Sequence, residues 1–270
     1  MKFKVLLLTV TLLITTLLAG CDHKENTNEI KVGVMDGPET DLMLTAASVA
    51  KQRYNLDVDV ITFNDYTMPD AALNDGEIDA NMFQHVPYLN AQIQARGYNL
   101  VPVGEGFIYP MRVYSKKIKS LTDMPMNGKI AVPNDPSNEA RALLLIQKSG
   151  LITLRPNAGT NATIVDIANN PKHIQFTELD AAQLPRVLPD VDAAVINTGY
   201  AVSAGLKLNS AIYTEGTDSP YVNVLVVRKS DVNKPHVKEL LAAFQSQQVI
   251  DKAKQLFGEG AIPAFTPTPS

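Results

Sequence analysis

The stretch Ile30–Phe63, IKVGVMDGPETDLMLTAASVAKQRYNLDVDVITF, decides the fold class. Ile30 to Val34 is short and β-branched, Leu42, Ala46, Val49 and Ala50 recur at helical spacing, and Leu56 to Phe63 alternates apolar with polar residues as a half-buried strand does. Strand, helix and strand in this order make a βαβ unit, whose strands lie parallel because the helix carries the chain back across the sheet. The alternation continues downstream. Pro69 to Leu73 predicts a short helix, Ile78 to Phe83 the end of a strand, Pro87 to Arg96 a helix closed by Gly97, and Leu100 to Val103 another strand. Such an order predicts an α/β fold with a mostly parallel sheet and helices on both faces.

A second unit starts near Met111. Met111 to Tyr114 and Lys129 to Val132 have the pattern of strands, and Asp135 is placed to cap the helix that follows. Pro136 suits that helix's first turn, where its missing N–H would be unpaired anyway, and Ala140, Leu143 and Leu144 supply a buried face up to Gly150. Ile164 to Ala168 predicts a short helix, Ile174 to Leu179 a strand, Ala181 to Leu188 a helix and Val191 to Ile196 a strand. Val222 to Val227 is the most apolar run beyond the N-terminal region, which predicts a buried central strand linking the two units. Val237, Leu240, Leu241 and Phe244, then Val249, Ala253 and Leu256, keep helical spacing up to Gly258. No Gly/Ser linker divides the chain, which fits two lobes joined by more than one crossing. Residues 30–110 with 226–270 form the first lobe in this reading, and 111–225 the second.

The N-terminal region carries an address. Lys2 and Lys4 precede an apolar run from Val5 to Leu18, which ends in Leu18-Ala19-Gly20-Cys21. That run is about 14 residues, short of the roughly 20 that span a bilayer, so residues 1–20 have the layout of a cleaved export signal. Small residues before a thiol resemble the bacterial lipobox, so Cys21 is expected to carry the lipid, with residues 21–29 as a polar tether to the membrane. Cys21 is the sole cysteine, so the chain forms no internal disulfide. The whole sequence has 24 basic and 28 acidic residues, and loss of Lys2 and Lys4 takes its net charge from −4 to −6. A mildly acidic domain lacks the basic footprint that nucleic acid requires.

Catalytic signatures are missing from the sequence. His23, His85, His173 and His236 share no metal-ligand spacing, and there is neither a Gly-x-Ser-x-Gly elbow nor a Gly-rich phosphate loop. No enzyme activity, cofactor or metal is expected. Aromatic and amide groups instead follow strands, in Phe63-Asn64-Asp65-Tyr66 and Phe83-Gln84-His85-Val86-Pro87-Tyr88. Loops after the C-terminal ends of parallel strands are where α/β sheets bind ligands, although aromatics there also pack lobes together. Arg141 stands early in its helix, where the dipole disfavours a cation. Either it pairs with Glu139 or another acid, or its planar fork grips a ligand carboxylate. Asn197 ends one strand and Asn223 interrupts the apolar run at Tyr221-Val222. A buried amide must be hydrogen-bonded, to neighbouring backbone or to a ligand.

These segments resemble the methionine-binding lipoproteins of the methionine ABC transporters. The likeness runs from about Ile30 to Ala261 through Lys31-Val32-Gly33-Val34, Phe63-Asn64-Asp65-Tyr66, Phe83-Gln84-His85, Ala131-Val132-Pro133-Asn134-Asp135-Pro136, Gln183-Leu184-Pro185-Arg186, Ala194-Val195-Ile196-Asn197 and Ser219-Pro220-Tyr221-Val222-Asn223. The resemblance implies a two-lobed, type II periplasmic-binding-protein fold with an interlobe cleft. It also implies a monomer that captures L-methionine, with the D form left open, and delivers it to a permease and its ATPase subunits. By the same resemblance Tyr66, Phe83, His85 and Tyr88 would surround the ligand side chain, Arg141 would meet the carboxylate, and Asn197 and Asn223 would hold the amino group. Asp22 resembles the residue that retains lipoproteins on the inner membrane of Gram-negative cells. Two departures bear on specificity: Glu139-Ala140 stands where the family has Leu-Gly, and Gly159-Thr160-Asn161-Ala162 where it has a Gly-Leu-Leu-Pro-like stretch. Another small amino acid, a dipeptide, or an adhesin-type envelope role are the alternatives. Because only a thiol accepts the lipid, Cys21→Ala is expected to move the protein out of the detergent phase on partitioning in a nonionic detergent.

Overall fold

The computed structural model describes residues 28–268. The expected signal (1–20), Cys21 and Asp22 lie outside them, and the tether is shorter than expected, since Glu29 already pairs with Asp57. The first lobe runs β1 (Glu29–Met35), α1 (Pro38–Tyr54), β2 (Asp57–Phe63), α2 (Met68–Asp75), β3 (Ala80–His85), α3 (Val86–Arg96) and β4 (Leu100–Ile108). The chain then crosses into the second lobe. There it forms β5 (Arg112–Tyr114), β6 (Lys129–Pro133), α4 (Pro136–Lys148), β7 (Thr153–Leu154), β8 (Ile167–Asn169), β9 (Gln175–Leu179), α5 (Leu184–Val187), β10 (Ala193–Ile196), α6 (Thr198–Ser203) and β11 (Tyr213–Thr214). It returns as β12 (Val222–Arg228), α7 (Pro235–Phe244), α8 (Gln247–Phe257) and β13 (Ile262–Pro263).

Each lobe has its own sheet, in the order β13-β4-β12-β3-β1-β2 for the first and β11-β5-β10-β6-β9 for the second. Most strands of each sheet run in one direction, as expected, but strands of opposite direction are inserted among them, so antiparallel pairings are at least as many as parallel ones. β1 lies parallel to β2 and β3, and β6 parallel to β9 and β10, whereas β12 is antiparallel to β3 and β4, and β5 to β10 and β11. The reason is topological. Strands that open a βα unit run toward the cleft, while β5 and β12 enter their sheets from the other lobe and therefore run away from it.

The second crossing comes earlier than the sequence suggested. β12 is one continuous member of the first sheet from Val222 onward, so a division at 225/226 would cut it in two. Its role as a buried central strand is as expected. Leu225 and Val227 belong to the core against α1 and α7, whereas Val224 and Val226 belong to the core that includes Leu73 of α2 and Leu89 of α3. Successive strand residues point to opposite faces, so this alternation requires helices on both sides. The second lobe repeats it, with Ile130, Val132 and Val195 packed on Leu143 and Ile146, and Ala131, Ala194 and Ile196 on Leu184 and Leu188. The helix expected over Ile164–Ala168 is instead a single 3₁₀ turn, Ile164–Asp166, followed by β8. Asp166 accepts from the Thr163 N–H and hydroxyl, which closes the turn at once, and the next residues pair with β7. Leu225, fully buried between β3 and β4, is the most telling single core position. Leu225→Ala should cost about 2 to 5 kcal/mol of stability, read as a lower denaturant midpoint at unchanged slope.

Candidate functional site

β1, β3, β6 and β10 each deliver the chain into a helix at the cleft: α1, α3, α4 and α6. Pro38, Pro87 and Pro136 stand in the first turn of α1, α3 and α4, where no hydrogen bond is lost. A cavity of about 430 Å³, open mouth included, lies among these junctions. Tyr66, Phe83, His85, Tyr88, Arg141, Asn197 and Asn223 all line it. So do Glu39, Gln84, Tyr109, Asn138, Thr198 and Gly199, which sequence reasoning did not single out as site residues.

One wall is aromatic. Tyr66 lies 5.8 Å from Phe83, 5.9 Å from Tyr88 and 4.8 Å from Tyr200 between ring centroids, and Tyr221 lies 5.0 Å from His85. The Tyr88 hydroxyl donates to the Tyr66 carbonyl at 2.8 Å, which holds the loop after β2 against α3. Behind the wall, buried Asp70 accepts from Asn81 at 2.9 Å and from Gln84, and burial pushes its carboxyl up to about 6.

The polar groups form a directed chain. Asp135 caps α4 by accepting the Asn138 N–H at 2.9 Å, and its carboxylate also accepts both Asn138 Nδ2 contacts at 3.0 Å. That fixes the Asn138 amide, leaving Oδ1 to accept from Asn197 Nδ2 at 2.9 Å. His85 Nε2 lies 3.3 Å from the same oxygen, across the cleft. Its Nδ1 accepts the Tyr88 N–H at 3.2 Å, so Nε2 must carry the imidazole proton. Burial, then the Arg141 charge, hold His85 neutral down to about pH 3. Asn223 Nδ2 donates to the Phe83 carbonyl at 2.9 Å, an atom that can only accept. Both asparagines thus spend an N–H on the protein and keep their oxygens in reserve. Asn197 Oδ1 is buried without a partner among the described residues.

Arg141 is buried at 4% exposure and paired, as one of the two sequence readings had it, with an acid. The partner is Glu215, at 2.5 to 3.2 Å, rather than Glu139, which accepts the Ile164 N–H instead. Nη2 also donates to the Tyr109 carbonyl at 3.0 Å, and the guanidinium lies 4.3 Å over the Tyr221 ring. Tyr109 is on the first crossing segment, Glu215 and Tyr221 on the second, so this side chain ties α4 to both. The Nε–Nη2 edge is therefore taken, and Nη1 is the group left without a protein acceptor among the described residues. Nothing in the sequence marked Glu215, which lies in an irregular connection. Asn138 had a detectable signal: three residues before Arg141, it shares that helix face.

A family model described as "NlpA lipoprotein" matches residues 30–265. The chain belongs to the NlpA lipoprotein family. A probable D-methionine-binding lipoprotein of Vibrio cholerae is 49% identical to this NlpA lipoprotein over 97% of this chain and 99% of its own. A periplasmic substrate-binding protein of an ABC transporter from Coxiella burnetii is 56% identical, with a TM-score of 0.84 over 87% of this chain and 100% of its own. A nutrient-binding protein of Burkholderia cenocepacia, solved with methionine bound, is 52% identical, with a TM-score of 0.86 and the same coverage. These likenesses establish the two-domain type II periplasmic-binding-protein fold, and family membership agrees with a lipid-anchored domain outside the cytoplasm. In the hydrogen-bonded arrangement around Asn138, nitrogen-detected imidazole spectra at pH 5 should show His85 as the neutral Nε2–H tautomer. Protonation near pH 6.5 would refute the arrangement.

Proposed function

We infer that this NlpA lipoprotein captures methionine in the interlobe cleft and delivers it to an ABC permease driven by ATPase subunits. One observation carries the reading: a single cavity offers a guanidinium edge, amide oxygens with no protein donor, and an aromatic wall. A carboxylate, an ammonium and a polarizable apolar side chain need those three surfaces, and thioether sulfur is favourable at aromatic edges. In this reading Arg141 Nη1 meets the ligand carboxylate, Asn197 and Asn223 accept from the amino group, and Tyr66, Phe83, His85 and Tyr88 enclose the side chain. The D-methionine-binding relative of Vibrio cholerae and the methionine-bound Burkholderia cenocepacia protein support the same assignment. The domain acts as a monomer tethered through Cys21, on the inner membrane where the host has an outer one, and carries out no bond chemistry.

Arg141 also shapes closure. Because it touches both crossing segments, a ligand carboxylate drawn to it is sensed where the lobes hinge, and a ligand shifts a conformational equilibrium only through such differential contact. The test avoids disturbing that hinge by changing the ligand. On protein refolded to strip carried-over amino acid, calorimetric titration should show both methionine enantiomers and leucine ranked by side chain. Methionine methyl ester should bind about tenfold to 150-fold more weakly than methionine, the equivalent of a lost charge-assisted bond of about 1.5 to 3 kcal/mol. Equal affinity for ester and acid would remove Arg141 from ligand recognition.

A further inference from the structure

Glu39 belongs neither to the aromatic wall nor to the hydrogen-bonded chain around Asn138. It stands in the first turn of α1 and lines the cavity beside Tyr109 and Asn223. Its Oε2 is sealed from solvent and has no partner among the described residues. Its Oε1 packs against Gly199 of α6, where a Cβ would overlap it, so this first-lobe carboxylate sits directly on the second lobe. Gly199 is two residues beyond Asn197, whose Oδ1 is, like Gln84 Oε1, another acceptor on a cavity-lining residue with no partner among the described residues. Acid in a helix's first turn commonly serves the helix dipole, but that role is satisfied at the surface and does not require an oxygen sealed in a cleft without a donor. Among the described residues the Glu39 backbone N–H is the one donor its carboxylate has, so Oε2 stays sealed from solvent without a donor, and that cost is relieved by a cation that arrives with the ligand.

We propose that Glu39 is the counterion of the ligand's α-ammonium group, completing with the Asn197 and Asn223 oxygens an acceptor set that selects a free amine. The proposal rests on the amino-acid reading above. It extends that reading by giving the amine a full charge to pair with, and it makes capture depend on pH. In the empty cleft burial pushes the Glu39 carboxyl up to about 7. The ionisable groups around it do not supply the titration. Burial holds the hydroxyls of Tyr66, Tyr109 and Tyr200 protonated, His85 is neutral, and Arg141 is neutralised by Glu215. Protonating Glu39 removes the charge that pairs with the ammonium. Affinity therefore falls as pH falls below about 7, by a factor approaching ten per pH unit.

The experiment is calorimetric titration of stripped parent and Glu39→Gln with methionine and with 4-(methylthio)butanoate, which keeps carboxylate and side chain but has no amine. Glu39→Gln should weaken methionine by about tenfold to 100-fold and leave the amine-free analogue within about threefold. Equal weakening of both ligands, or of neither, would overturn the assignment of Glu39 while leaving methionine capture standing. A parent that binds no methionine would overturn the functional reading and this one with it. The pH profile of the parent needs no variant and decides the matter if Glu39→Gln does not fold. Between pH 8 and pH 5 methionine stays zwitterionic, so a flat profile, or one that declines only below the Asp70 titration near 6, overturns the proposal and a decline that begins near pH 7 supports it.

Discussion

The Asn138 carboxamide is the interaction on which the cleft depends. Its orientation is set by Asp135, and through its one oxygen it in turn orients Asn197 within the second lobe and reaches His85 in the first. Hydrogen-bond direction is conserved along this path: a carboxylate that only accepts fixes an amide, which fixes the next amide, whose oxygen ends in the cavity. Replacing Asn138 by aspartate would put two carboxyl groups against each other and invert the chain. Such fully connected buried networks select one arrangement among many, because a half-satisfied alternative leaves polar atoms stranded.

The same economy appears in how the fold supplies the site. Strands that open βα units end at the cleft in both lobes, so the donors and acceptors at their ends converge without any long loop. Helix N-termini with their unpaired N–H groups face the same space, which favours anionic ligand groups there. Strands that arrive from the opposite lobe run the other way, and they bring the crossing segments that carry Tyr109, Glu215 and Tyr221 to the back of the cavity.

Local pattern made most of this architecture legible. The βαβ opening, the Asp135 cap and the buried run at Val222–Val227 rest on periodicity and capping, which are properties of neighbouring residues. Parallel against antiparallel pairing was not legible, because it depends on which lobe a strand enters from. Tyr66, Phe83, His85, Tyr88, Arg141, Asn197 and Asn223 line one cavity; local pattern marked them only as candidates, and the family resemblance supplied their grouping. Glu215 and Glu39 carry no such mark. An acid in a loop and an acid in a first helical turn are ordinary in sequence, and only the Arg141 edge and the Gly199 backbone facing them make them distinctive. The Ile164–Ala168 segment failed for a related reason: β-branched residues after a closed capping turn suit a strand as well as a helix, and the pairing with β7 decides.

The place of β12 has a bearing on biogenesis. It sits between β3 and β4, yet it is made after the whole second lobe. Until it emerges, β3 and β4 have no common neighbour, and the apolar faces that Leu225 and Val226 divide between them have no centre. The second lobe is continuous in sequence and can collapse on its own contacts, whereas the first must wait for nearly the full chain, a long-range closure that slows folding. For a lipoprotein that is threaded through a membrane before it folds, that delay keeps the leading portion of the chain pliant for the duration of the passage.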